Sequence, residues 1–192
     1  MLTKIKEKFQ LALGVAASFA HKIGLTPNAV SVLGLGLAVL SALLYYRWYS
    51  NQWFLPLAAT SLLLSGFCDA FDGTLAKMYG QTTAFGAFLD STLDRLSDAI
   101  ILCSLILANP PLVDLFWGLT ALVGVLLVSY TRARGEAVGV PMVAVGIAER
   151  AERILIIVIA TFLGFIWAGI VIVAILSLLT IIQRIAHVYQ KT

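Results

Sequence analysis

Charge is what this 192-residue chain has least of. Asp, Glu, Lys and Arg make up 12% of it, against roughly 25% in an ordinary soluble domain. So little charge excludes a water-facing globular surface. The net charge of +3 excludes the extended basic face of a nucleic-acid binder. Cysteine is scarce too. Cys68 and Cys103 both lie in apolar stretches, imply no disulfide framework and read as small apolar filler. No internal repeat, low-complexity run or Gly/Ser linker divides the chain, so one domain over residues 1–192 is expected. What is abundant is apolar: 60% of the residues are hydrophobic and the mean hydropathy is +0.97. The chain reads as an all-α integral membrane protein.

Six apolar segments have about the length a bilayer requires. They are expected near 28–48, 53–78, 84–108, 111–135, 149–166 and 168–188, forming a bundle over 28–188. Pro27 before Asn28 starts the first helix, and Asn109-Pro110-Pro111 makes a tight turn after the third. Residues 1–20 carry Lys4, Lys6 and Lys8, with Leu2, Ile5, Phe9, Leu13 and Ala16 at helical spacing. That pattern predicts a juxtamembrane amphipathic helix on the membrane surface. A cleaved signal peptide competes for the same stretch, but Glu7 interrupts its basic region.

Charge asymmetry sets the expected topology. Six spans put both termini on one side. With them fall Lys4, Lys6, Lys8, Lys22, Lys77, Arg95, Arg132, Arg134, Arg150, Arg153, Arg184 and Lys191, leaving only Arg47 opposite. The positive-inside rule then places the termini, and nearly all acidic residues, in the cytoplasm. Asp114 is the acidic exception. His21, His187, Trp167 and Tyr189 read as interface residues. The segment 137–148 reads either as an apolar loop dipping into the interface or as a plain connector.

Ionised carboxylates are costly at membrane depth and mark sites. Asp69 and Asp72 stand three apart near the end of the second segment, and Asp90 and Asp94 four apart near the start of the third. Each spacing puts its pair on one helical face. Four converging carboxylates repel one another unless hard cations join them, and all-oxygen ligation suits Mg²⁺ or Mn²⁺, with room for two ions clamping a pyrophosphate. Gly73 and Gly86 lack side chains that would block a ligand, though helix packing is the competing reading for each. Lys77 offers a cation to a phosphate. Asp98, one turn beyond Asp94, is placed either to orient it or to pair with Arg95.

Written out, the spacing is D-x2-D-G-x2-A-K-x8-G-x3-D-x3-D. It resembles the signature of the CDP-alcohol phosphatidyltransferases, integral membrane enzymes of phospholipid synthesis. Lys77 stands where that family has arginine, which keeps the charge but loses the bidentate fork. Seven fixed positions match by chance on the order of 10⁻⁹ per starting residue. The resemblance implies that an alcohol hydroxyl displaces CMP from a CDP-linked lipid. It implies that Asp69, Asp72 and Asp90 ligate metal, while Asp94 ligates metal and acts as the base. It further implies nucleotide contacts from Asn28, Ser31, Gly73, Lys77, Thr83 and Gly86, and a homodimer. For Asn28 and Ser31 the competing readings are helix capping and a hydroxyl bonded back into its own helix.

The acceptor is read from arginines. Ser129, Arg132 and Arg134 end the fourth segment, Arg150 and Arg153 open the fifth, and Arg184 lies near the end of the sixth. Guanidinium groups grip phosphate in a fork, so Ser129, Arg132, Arg134, Arg153 and Arg184 are candidates for an acceptor phosphate. For Arg150, anchoring plus ion pairs with Glu136, Glu149 or Glu152 is an equal reading. Within the family the arrangement is similar to the phosphatidylinositol-phosphate and archaetidylinositol-phosphate synthases, with Ala151 in place of a proline. That implies inositol 1-phosphate as acceptor and CDP-diacylglycerol or CDP-archaeol as donor. Glycerol 3-phosphate is the alternative acceptor. A divalent-cation transporter is the alternative of another class, but it predicts acids spread through the bilayer depth.

Overall fold

The computed structural model describes residues 24–191 together with Gly14, Ala17, Ser18 and Lys22. Apart from Gly14, Ala17 and Ser18, the helix expected over 1–20 lies outside the described residues. The described chain is helical: α1 Pro27–Tyr46, α2 Phe54–Met78, α3 Ala84–Leu107, α4 Leu115–Ala137, α5 Arg150–Phe162 and α6 Ile166–Lys191, with a single 3₁₀ turn at Trp48–Ser50. Four of them, α1, α2, α4 and α6, are long and apolar enough to cross a membrane. Helix α3 has the length, 24 residues, but carries Asp90, Asp94, Arg95 and Asp98. Helix α5 has only 13 residues.

Two boundaries differ from expectation for local reasons. The fourth helix starts at Leu115 rather than 111, because Asp114 caps it by accepting from the Trp117 backbone N–H at 3.0 Å. The fifth stops at Phe162 because Gly164 turns the chain with a φ of 76° that a side chain resists. Asp114 also accepts from the Trp167 indole. The Trp117 N–H, with the indole second, holds the Asp114 carboxyl below the usual carboxylate range. Trp167 is thus a tie between the starts of α4 and α6 as well as an exposed aromatic.

The helices pack as a closed ring. Helix α1 contacts α2 and α3, α2 contacts α5, α5 contacts α6, α6 contacts α4, and α4 returns to α3. Helices α2 and α3 therefore meet mainly through α1 rather than along their lengths. One end of the ring is filled: Tyr45, Leu62, Leu105, Val125, Ile157, Ile170 and Val173 belong to one buried apolar cluster. Small residues bring the helices close there. A Cβ on Gly169 would lie 2.4 Å from Ala160 Cβ, and one on Gly124 would lie 3.0 Å from Ser177 Cβ. The Tyr45 hydroxyl meets the Thr161 hydroxyl at 2.8 Å, joining α1 to α5.

The segment 137–148 is a loop packed against the helices. Val140, Met142 and Ala148 are buried, and a Cβ on Gly135 would lie 2.7 Å from Met142 Sδ. The loop is tied to α6. Ala148 N–H donates to the Thr180 hydroxyl at 3.4 Å, Arg184 Nε donates to Val145 O at 2.9 Å, and His187 Nε2 lies 3.3 Å from Pro141 O.

Candidate active site

The other end of the ring is where the charge gathers. Thr26, with Pro27 behind it, caps α1 by accepting from Ala29 N–H at 3.3 Å, so Asn28 is not spent as a cap. Gly80, at φ 63°, turns the chain between α2 and α3, and Thr83 caps α3 by accepting from Gly86 N–H at 2.9 Å. This tight return places Asp69 and Asp72 opposite Asp90. The three offer carboxylate oxygens within 4.8 Å of one another. Asp72 is buried and receives a hydrogen bond from the Ser31 hydroxyl, which also reaches Pro27 O at 3.2 Å. The Ser31 hydroxyl is thus bonded back into its own helix, as one reading had it, and is tied to a carboxylate of the site as well. Three hard oxygen donors this close, one of them buried, fit a divalent cation of the Mg²⁺ or Mn²⁺ type.

Asp94 does not join that trio. Arg150 Nη1 lies 2.6 Å from Asp94 Oδ1 and 3.0 Å from Asp69 Oδ2, while Arg150 Nε donates to Asp98 Oδ1 at 3.2 Å. Arg95 Nη1 lies 3.5 Å from the other Asp94 oxygen. The expectation that Arg150 pairs with glutamates is corrected: its partners are Asp69, Asp94 and Asp98, and Glu136 pairs with Arg132 at 3.2 Å. Asp98 also takes Arg153 Nη2 at 3.5 Å. Arg150 and Asp98 are the site residues that sequence reasoning underrated. The signal was present in Asp90, Asp94 and Asp98 at successive four-residue steps, facing Arg150 and Arg153 three apart.

Two cavities flank the aspartates. One of about 170 Å³ is lined by Asn28, Ser31, Asp72, Gly73, Thr83, Gly86 and Asp90. The other, about 850 Å³, is lined by Asp69, Asp90, Asp94, Ser129, Arg132, Arg150, Arg153 and Arg184. Asp90 borders both. At Gly73 a Cβ would meet nothing, so that surface is open to a ligand. At Gly86 a Cβ would lie 2.9 Å from Thr83 Oγ1 and 3.2 Å from Asn28 Oδ1. That glycine makes room for two side chains of the cavity wall and itself lines the cavity. Lys77 and Arg134 are exposed, stand on the last turn of their helices and line neither cavity. Arg153 and Arg184 border the larger cavity but already hold backbone carbonyls, Arg153 that of Ala148 and Arg184 those of Val145 and Val128.

Comparison with known proteins identifies the family and the fold. The CDP-alcohol phosphatidyltransferase family profile matches residues 24–187. The archaetidylinositol phosphate synthase of Pyrococcus horikoshii is 42% identical over 193 residues, spanning 100% of this chain and 98% of that protein. Crystal structures of the Mycobacterium tuberculosis phosphatidylinositol phosphate synthase superpose with the same fold. Its complex with manganese and citrate gives a TM-score of 0.78 at 30% identity, covering 92% of this chain and 88% of that one. Its CDP-DAG-bound form gives 0.77 at 29% identity, covering 92% and 93%.

Proposed function

Because the chain belongs to the CDP-alcohol phosphatidyltransferase family, we propose that it transfers a lipid phosphate group from a CDP-linked lipid to a hydroxyl of inositol 1-phosphate, releasing CMP. The observation that carries this reading is the aspartate trio standing between two cavities, with Asp90 bordering both. The smaller cavity takes the nucleotide against Gly73, with Asn28, Ser31 and Thr83 as polar contacts. The larger takes an acceptor whose phosphate suits Arg132, Arg150, Arg153 and Arg184, with Ser129 beside them. Lys77 and Arg134 drop out of this assignment, since they line neither space.

Asp69, Asp72 and Asp90 would hold divalent cations, which neutralise the diphosphate and stabilise charge on the departing CMP. Asp94 faces the larger cavity from the same helix as Asp90. It takes the proton from the acceptor hydroxyl as that oxygen bonds to the lipid-side phosphorus and the bond to the CMP oxygen breaks. Arginines across the cavity orient the acceptor, so the reacting hydroxyl is presented to Asp94 rather than to bulk water.

All six helices are read as crossing the membrane. The charges of α3 all lie between Asp90 and Asp98, leaving residues 99–107 uncharged and mostly apolar. Short as it is, α5 starts beside Asp69 and Asp94 and has Thr161, in its last turn, beside Tyr45, so it runs the depth of the ring. On this reading the positive-inside rule favours a multi-pass cell-membrane protein with both termini and the site facing the cytoplasm. A homodimer is the family expectation, and light scattering of the detergent-purified protein tests it.

The decisive assay is CMP release in detergent with Mg²⁺ and CDP-archaeol or CDP-diacylglycerol. Inositol 1-phosphate, glycerol 3-phosphate, serine and free inositol are offered separately. Release with inositol 1-phosphate alone, abolished by Asp94→Asn, is the expected result. Release with glycerol 3-phosphate instead keeps the reaction and overturns the acceptor. The lipid giving the higher rate identifies ether or ester tails.

A further inference from the structure

Arg150 stands between the proposed base and the rest of its site. Its Nη1 lies 2.6 Å from Asp94 and 3.0 Å from Asp69, while the second Asp94 oxygen lies 3.5 Å from Arg95. Both oxygens of Asp94 therefore face guanidinium groups, whose positive charge favours the ionised carboxylate over one that has taken a proton. The same guanidinium charge opposes any cation approaching Asp94 or that side of Asp69.

The two ends of this guanidinium are held differently. Nε makes an aligned hydrogen bond to Asp98 at 3.2 Å. Nη1 is buried and makes no aligned hydrogen bond despite its two short ion-pair distances. One end is anchored, and the other is held by charge alone. Arg150 also borders the 850 Å³ cavity, together with Arg132, Arg153 and Arg184. There is space to swing into, and a phosphate there is a competing partner with fork geometry.

We propose that Arg150 is a positioning residue that shields Asp94 until a phosphate monoester in the larger cavity draws its guanidinium away, with Asp98 as the pivot. This rests on the reading of Asp69, Asp72 and Asp90 as cation ligands. The consequence is coupling. Phosphate removes the charge that competes for Asp69 and Asp94, so phosphate and divalent cation bind better together than apart. The base is exposed only when an acceptor is present, which limits loss of the activated lipid to water.

The test is Mn²⁺ binding by paramagnetic resonance to the full chain in detergent, with and without inorganic phosphate. In the unsubstituted protein phosphate should tighten Mn²⁺ about tenfold. Arg150→Gln should bind Mn²⁺ about tenfold tighter without phosphate and lose most of the phosphate effect. Unchanged Mn²⁺ affinity in Arg150→Gln, with the phosphate effect intact, overturns the proposal. CDP should tighten Mn²⁺ equally in both proteins, and an Arg150-dependent CDP effect overturns the assignment to the larger cavity. Asp72→Asn separates the two layers. If it leaves Mn²⁺ binding intact, the cation reading fails and the proposal with it. If it abolishes binding while Arg150→Gln changes nothing, only the role of Arg150 falls. Should Arg150→Gln not fold, a structure of the unsubstituted protein with Mn²⁺ and phosphate decides. Arg150 on the phosphate and beyond about 4 Å from Asp94 supports the shield, and an intact contact overturns it.

Discussion

The two ends of the helix ring hold their helices together by opposite means. At the Tyr45 end the helices meet through small residues and interlocking apolar side chains, with hydroxyls such as Tyr45 and Thr161 paired to each other. At the Asp72 end, α2, α3 and α5 are joined by charge beside open cavities, with Arg150 touching one carboxylate of α2 and two of α3. The first arrangement is set by shape and serves stability. The second keeps like charges close and partly buried, which a bundle under selection for stability alone would not retain. The difference locates function at one end and the scaffold that positions it at the other.

That contrast breaks down if substitutions at the two ends have the same kind of effect. The largest effect is expected from Asp90→Asn, which removes one oxygen donor from the trio. CMP release should fall by at least about 100-fold, since even partners one step outside a metal's ligands are worth 10–100-fold. The melting temperature should hold or rise, because one of the crowded charges is gone. A fall in melting temperature matching the loss of activity would erase the distinction. Chelation with EDTA should likewise stop CMP release without unfolding the protein.

At the apolar end the signs reverse. Gly169→Leu forces side-chain bulk into a space where Ala160 Cβ already lies 2.4 Å from an added Cβ. It should cost about 1–3 kcal/mol of stability, read as a lowered melting temperature, while activity per folded molecule is kept. Gly73→Val sharpens the contrast from the charged end. An added Cβ there meets nothing, so stability should not move. The KM for CDP-lipid should rise about tenfold because the side chain fills the smaller cavity.

The smaller effects probe single contacts. Tyr45→Phe deletes the bond to Thr161, whose hydroxyl keeps its contact to Ile157 O at 2.8 Å. About 0.5–1 kcal/mol of stability should be lost, with kcat and KM unchanged. Asp114→Ala removes a helix cap outside the membrane-spanning segments. Its carboxyl is depressed on folding, so its stabilisation is present above the ordinary aspartate pKa and lost as pH falls through the lower folded value. The melting temperature of Asp114→Ala should thus lie below that of the unsubstituted protein at neutral pH and converge with it below about pH 4.

Much of this was readable from residues alone where the signal is local. Runs of apolar residues located six helices to within a few positions, because a bilayer-length helix needs a fixed number of them. The boundaries that moved, at Asp114 and Gly164, are set by a single cap and a single left-handed glycine. The aspartate pattern pointed to its site because spacing on a helix fixes which face a side chain takes. Arg150 escaped the same logic. Its partners lie 52 to 81 residues away along the chain, on two other helices, and nearby glutamates offered a simpler pairing. Gly86 escaped it as well, since only the packed turn shows that the space it leaves belongs to Thr83 and Asn28.

What the sequence by itself determined is the membrane class of the chain, its helices and the identity of its acidic motif, because each depends on composition or on neighbours within a turn or two. The tertiary structure alone decided that the ring leaves two cavities sharing Asp90, and that Asp94 sides with Arg150 rather than with the other three aspartates. Those outcomes turn on distances of a few ångströms between helices far apart in sequence. Coulomb energies and cavity shapes change sharply over such distances, and no local pattern encodes them.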